Sequence, residues 1–501
     1  MRRAALAVLA LVAACGTTVP MTGSAPTSQL GGDGLDPAST AGTTGLPTTE
    51  ANPGAGNLVT GGGSNATSPP SSSDSATLAP TSGSTGRGSY TGVTPTTITI
   101  GLSVASTAGS AGAQLGESYG IGGFSSGPDK PLLLALVDWF NRHGGVAGRK
   151  LLPVFHPYDG NDLRPYAVQD QEACTAFTQD KHVFAHLADV VSSTFYACME
   201  KAGTVGVERY ELGAQTTALK HPGIFSVSDL DYTSSGRVLI EALIARGFLS
   251  KQDKIGLVQT DSPDMESARS AGMDPALAKA GLRFLDIARV SPVQQTSDAA
   301  GAIQALGSAV LKFHTDQITK VLFLTPNGAL LDAIFMKQAE NQGYRPKYGL
   351  SSKDAPVGLG GGNAPDAQLA GSGVIGWSPL EDLRDVPSSQ VPAAQRHCLQ
   401  ILREEKLSPP TDRGQVNQFM SYCGAFQLFA TIAGRAGAQL NRNSFIRAGS
   451  SLGTAYQDPF SITGYSRITA GSHQAVAEYQ PLAFNGGCEC FTRAGAVVRF
   501  R

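Results

Sequence analysis

The chain has 501 residues, 41% of them hydrophobic, and a formal net charge of −2 with only 16% charged residues. That length supports two packed domains, and the lack of a basic excess argues against a nucleic-acid partner. Residues 1–14 join two arginines to a short apolar run that ends in small residues. The pattern is that of an export signal, and it is too short for a membrane span. Residues 16–92 are Thr, Ser, Gly and Pro with almost no aromatic or charged residue. Such a segment buries too little surface to offset its ordering entropy, so a disordered tether with ends roughly 50 Å apart is expected.

From residue 96 the pattern alternates strand and helix. Strands are expected at 97–103, 151–155, 183–190, 203–207, 224–227, 254–259, 284–290, 321–325, 347–350 and 373–377. In the first of them, Ile98, Ile100 and Leu102 alternate with Thr97 and Thr99. Helices are expected at 132–140, 167–178, from 194, 233–246, 263–281, 299–313, 328–342, 393–405 and 416–436. Leu239, Ile240, Leu243 and Ile244 show the helical spacing, and Ser262-Pro263 reads as a cap followed by a first-turn proline. The tail, 460–500, is strand-like. Apart from Cys15, the cysteines are Cys174, Cys198, Cys398, Cys423, Cys488 and Cys490. An even set in an exported chain points to disulfides. Neighbourhood favours Cys174 with Cys198, Cys398 with Cys423 and, least securely, Cys488 with Cys490, a tight ring. No cofactor or metal is called for. His182 and His186 stand on an expected strand, where four residues span roughly 13 Å, too far for one ion.

Two resemblances add to this reading. Val12-Ala13-Ala14-Cys15 resembles a bacterial lipobox, which implies that Cys15 becomes a lipidated N-terminus holding the protein on the outer face of the cell membrane. The stretch 138–160, DWFNRHGGVAGRKLLPVFHPYDG, follows a strand and a helix and leads into another strand. Its N-x-x-GG-V-x-GRK-L pattern resembles the type I periplasmic solute-binding proteins, in the branch that includes the branched-chain amino-acid binding proteins. The resemblance spans about 96–484 and implies a two-lobed α/β fold, each lobe a mostly parallel sheet flanked by helices. It places lobe 1 at 93–229 and 377–459 and lobe 2 at 230–376 and 460–501, with three interlobe crossings near Asp229, Gly376 and Phe460. It further implies closure on a small polar, amino-acid-like molecule and an ABC transporter permease as partner, with the membrane reached through the lipid anchor.

Ligands of open α/β sheets bind at the carboxyl ends of strands. Ser192, Ser193 and Thr194 lie there, at a helix start whose free N–H groups and hydroxyls suit an anionic or polar group, although capping explains them equally well. In the amino-acid-binding members, this position holds the ligand carboxylate. Ala214, Thr216 and Thr217 line the first lobe by the same logic, and Thr260, Asp261, Asn327 and Ser352 line the second. Tyr119 is the aromatic of the loop over the first strand. Departures stand out: Ser352 beside Lys353 replaces the acidic partner of a ligand ammonium. Asp264 or Met265, and Gly328, stand where those relatives have tyrosines, and Asp261 and Asp354 are open as substitutes. The rival reading is a non-transport sensor or envelope protein on the same fold. A serine hydrolase is more distant. GFSSG at 123–127 and GSSLG at 449–453 match G-x-S-x-G but lack the strand-to-helix turn. GSGVIG at 371–376 is followed by a strand where a dinucleotide site needs a helix.

Overall fold

The computed structural model describes residues 88–105, 129–159, 162, 164–188, 193–209, 213–293, 296–326, 328–378, 391–407 and 413–500. Cys15, residues 16–87 of the expected tether and the GFSSG pentapeptide lie outside them; residues 88–92, expected as tether, are instead bonded to the fold, with Gly88 N–H donating to Ala438 O (3.1 Å) and Tyr90 and Val93 exchanging backbone hydrogen bonds. The first sheet is wholly parallel, in the order β2-β1-β3-β4-β5. Its strands are β1 (Thr97–Ala105), β2 (Lys150–Tyr158), β3 (Ala185–Ala188), β4 (Val205–Glu208) and β5 (Ile224–Ser226). Ile98, Ile100, Leu102 and Val104 of β1 are all buried, so the alternation seen in the sequence marks a sheet face covered by helices.

The second sheet runs β12-β11-β10-β9-β8-β6-β7. Parallel strands β6 (Ile255–Thr260), β7 (Phe284–Val290), β8 (Lys320–Leu324), β9 (Lys347–Leu350) and β10 (Gly373–Gly376) form its body. The tail adds β11 (Glu478–Asn485), β12 (Cys490–Arg493) and β13 (Val498–Arg499) antiparallel. Residues 460–477, expected as strand, make only isolated bridges, such as Ser466 with Val476 and Ser226 with Gln474. The chain leaves the first sheet after Ser226, returns through Trp377 to the helices Ala393–Glu404 and Arg413–Ala436, and opens β11 at Glu478. The helix Arg442–Ser450, absent from the expected elements, contains Gly449, so GSSLG begins in the last helical turn. A short helix (Asp366–Leu369) and not a strand precedes Gly371, as the failed dinucleotide pattern required.

The 138–160 stretch owes its pattern to structure. Asn141 donates to the Leu151 carbonyl (3.0 Å) and accepts from its N–H (2.7 Å), fastening the helix Asp129–Arg142 to β2. Gly145 sits at φ 73°, and a Cβ there would come within 2.0 Å of the Arg149 carbonyl oxygen. Arg149 is buried, and its guanidinium donates to Thr94 O (2.8 Å) and Ala438 O (2.7 Å). It closes this turn against the Arg413–Ala436 helix end. Phe419, Phe426 and Phe429 of that helix are fully buried, as expected of a helix enclosed on most sides. Disulfides join Cys174–Cys198, Cys398–Cys423 and Cys488–Cys490, with Cα–Cα separations of 6.3, 6.0 and 5.1 Å. Among the described residues no helix is long and apolar enough to cross a membrane.

Candidate functional site

The carboxyl ends of the two sheets face each other, because the segments that follow their strands touch. The helix Gln215–Ala218 follows β4, and the helix Pro263–Ala268 follows β6. Thr217 Oγ1 donates to Asp264 Oδ1 (2.5 Å), and the Thr216 and Ser267 hydroxyls lie 3.2 Å apart. The Lys353 ammonium, just past β9, meets Asp229, just past β5, at 2.5 Å. Trp377, at the end of β10, is buried and donates its indole N–H to Ser228 O (3.2 Å). Two strand crossings are thereby bolted to each other, and polar side chains span the gap between the lobes.

The sequence-derived site residues divide along this geometry. Thr216 and Thr217 sit at the interlobe contact just described. Ala214 is buried as the residue before their helix. Ser193 opens the helix Ser193–Ala202, and Thr194 is exposed on its first turn. Thr260 ends β6 and is buried, whereas Asp261 is exposed and pairs with Arg289 (3.3 Å). Ser352 Oγ accepts from the Trp377 backbone N–H (2.9 Å). Tyr119, Ser192 and Asn327 lie outside the described residues. Ser262 caps its helix by accepting from Met265 N–H, with Pro263 in the first turn.

The two open substitutes for an ammonium partner differ, one in an exposed ion pair and the other buried. Asp261 is engaged by Arg289, and Asp354 is buried and accepts from the Ser351 N–H (2.6 Å) and hydroxyl (3.1 Å). Asp354 faces a second buried carboxyl, Asp332, which accepts from Thr325 (3.2 Å). Burial pushes Asp354 up to about 7, and burial together with the Asp354 charge holds Asp332 well above the usual carboxylate range. Two charged carboxylates facing each other in so dry a place repel, so the pair holds on to a proton that free carboxylates release. Burial raises Asp229 too, and the Lys353 charge beside it pulls back down. The ammonium also lies 4.0 Å from the Tyr232 ring centre. One further cation stands at a strand end: Arg209, buried just past β4, lies 4.1 Å from the Tyr422 ring centre.

Sequence reasoning missed a line of buried polar groups across the first sheet. His186 Nε2 lies 2.8 Å from the Ser103 hydroxyl, and its Nδ1 lies 2.8 Å from Glu208 Oε1. Register explains it: His186 pairs laterally with Gly101 and Gly206, and Ser103 and Glu208 stand two residues further along β1 and β4. Gly206 makes the room, since a Cβ there would come within 2.8 Å of Glu208 Oε1. The order Ser-His-Glu copies that of a hydrolase triad, but the setting does not. Ser103 is mid-strand and 4% exposed, and the imidazole packs against the rings of Phe177 (5.4 Å) and Phe195 (4.9 Å). A nucleophile needs a sharp exposed turn and an oxyanion hole; this serine has a strand and an aromatic lid. The available signal was a His and a Glu inside otherwise apolar strands. His182 turns elsewhere, its Nδ1 3.1 Å from Thr178 O, so the two histidines share nothing.

No protein-family model matches the sequence, and no curated protein matches it. Solved structures do match. A fatty acid ABC transporter substrate-binding protein from Thermomonospora curvata superposes with a TM-score of 0.57 at 17% identity, covering 83% of this chain and 95% of that one. A branched-chain amino acid ABC transporter protein from Thermus thermophilus, with bound valine, gives 0.55 at 16% identity, covering 81% and 96%. A solute-binding protein of an ABC transporter from Rhodopseudomonas palustris BisB5, in complex with 3,4-dihydroxybenzoic acid, gives 0.55 at 12% identity, covering 80% and 97%. At these identities the likeness is one of fold.

Proposed function

Because this chain carries the two-lobed fold of the type I periplasmic solute-binding proteins, we propose that it is an extracytoplasmic solute-binding protein that closes on a small polar molecule for an ABC importer. The observation that carries the reading is the set of polar interlobe contacts, Thr216 to Ser267 and Thr217 to Asp264, at the carboxyl ends of two parallel sheets. Polar contacts at these ends stand where a hinge-closing binder opens and shuts. Open α/β sheets bind ligands at these ends. The helix start at Ser193 suits an anionic ligand group. The ligands named for the three neighbours all carry a carboxylate. Asp354 is taken within its own lobe, whereas Asp261, held only by an exposed pair with Arg289, is the carboxylate left for a ligand ammonium. The lipobox-like Val12-Ala13-Ala14-Cys15 supports an anchor on the outer face of the membrane, beside a permease.

Mass spectrometry of small molecules released on denaturing the purified protein tests this. A retained carboxylate that rebinds on titration is the expected result. An empty protein that titrates with no small carboxylate or amino acid would move the reading to a non-transport envelope role. Cys15→Ala should release the protein into the medium, and continued membrane retention would exclude the anchor.

A further inference from the structure

A cavity borders the interlobe contacts, with Gln215, the first residue of the helix that carries Thr216 and Thr217, in its wall. Its volume is about 390 Å³, within the range of small-molecule sites. It is bounded by the start of the helix Tyr232–Ala245, by the 467–477 segment that runs back toward the second sheet, and by Phe500. None of Thr216, Thr217, Asp229, Asp264, Ser267 or Lys353 lines it.

The chemistry of its walls is one-sided. Among the described residues, Arg237 and Arg467 both line it and no carboxylate does. The sole carboxylate within reach of Arg237 among the described residues is Glu241, a helical neighbour at 3.4 Å on the exposed surface. Such a pair contributes little and yields readily to a better acceptor. Arg467 is exposed and has no ion-pair partner among the described residues. Beside the two guanidinium groups, the buried Leu230, Val476 and Ala477 and the half-buried Phe500 supply an apolar floor. Two forked cations over an apolar floor are complementary to a molecule with an oxyanion head and an aliphatic body.

We infer that this cavity is a second ligand site, distinct from the cleft, for a small amphipathic carboxylate. The head is held by Arg237 and Arg467, and the tail lies over Leu230, Val476 and Phe500.

Octanoate is the probe. Calorimetric titration of the full-length protein should show binding that weakens as salt rises, because exposed ion pairs are screened. Arg237→Ala and Arg467→Ala should each weaken it roughly tenfold or more, the loss expected for a charge-assisted hydrogen bond, and Arg467→Glu should abolish it. Thermal melts of each variant should match wild type, since both side chains are solvent-facing. Thr217→Ala, which alters the cleft, should leave octanoate binding unchanged. Octanoate binding that survives both arginine substitutions, or is lost in Thr217→Ala alone, would place it in the cleft and overturn the second site. No heat of binding up to millimolar octanoate would overturn it as well. A natural cleft ligand found by mass spectrometry bears on the function above and leaves this test independent.

Discussion

Lys353→Met is the most informative single perturbation of the contacts between the two sheets. It removes the ammonium that sits 2.5 Å from Asp229 Oδ2, leaving a carboxylate that is only 8% exposed. At an effective dielectric of ~20, attraction at that distance is about 7 kcal/mol. Desolvation of both ions offsets part of it, and truncating one partner of a buried pair costs roughly 3–5 kcal/mol. The Tyr232 ring contact adds about 1 kcal/mol at most. Urea denaturation at pH 7 should therefore show a loss of about 4 kcal/mol. The sign with pH follows from Asp229, whose pKa burial already raises in the intact protein. Without Lys353 it rises further, and a raised carboxylate pKa means stability that is present at low pH and lost as pH rises through it. The deficit of the variant should therefore shrink toward pH 4. Asp229→Asn/Lys353→Met removes both charges and keeps the acceptor for the Leu230 N–H, so it should recover most of the loss. If the double variant were as unstable as the sum of the two single ones, the ion pair would not be the source of the effect.

Asp332→Asn should stabilise the protein by on the order of 2 kcal/mol at pH 8, because folded Asp332 and Asp354 hold a proton that the unfolded chain releases well below neutrality. The gain should vanish near pH 4, and a variant less stable at every pH would refute the shared proton. Thr217→Ala removes the hydrogen bond to Asp264; a loss of about 1 kcal/mol in closure should appear as a larger ligand-free radius of gyration in small-angle scattering, and an unchanged radius would count against the contact. Ser193→Ala separates binding from capping at the helix start: a ligand role predicts affinity weakened by about 1–3 kcal/mol with an unchanged melt. Capping predicts a melt lowered by about 1 kcal/mol with unchanged affinity.

The sequence alone determined those features that depend on near neighbours in the chain. Alternation at Ile98, Ile100 and Leu102 marked β1, 3.6-residue spacing marked the Tyr232–Ala245 helix, and Ser262-Pro263 marked a helix start, all within a few residues of where the structure has them. The GG-V-x-GRK motif was legible as a pattern, but its cause was not. Arg149 spends its donors on carbonyls at Thr94 and Ala438, the second nearly three hundred residues away. Only the tertiary structure decided the polar groups that meet across strands and lobes. Periodicity says which face a residue occupies and is silent on which strand lies beside it. Ser103, His186 and Glu208 became one line through the register of three parallel strands. Asp354, read from the sequence as an open candidate for a ligand ammonium, was claimed by Ser351 and Asp332. Lys353, noted there only as a departure, became half of the buried ion pair with Asp229. A charged residue in a strand-end loop looks the same in sequence whether it awaits a ligand or already holds a partner, because the partner is brought up by another strand-end loop, a packed helix or the other lobe.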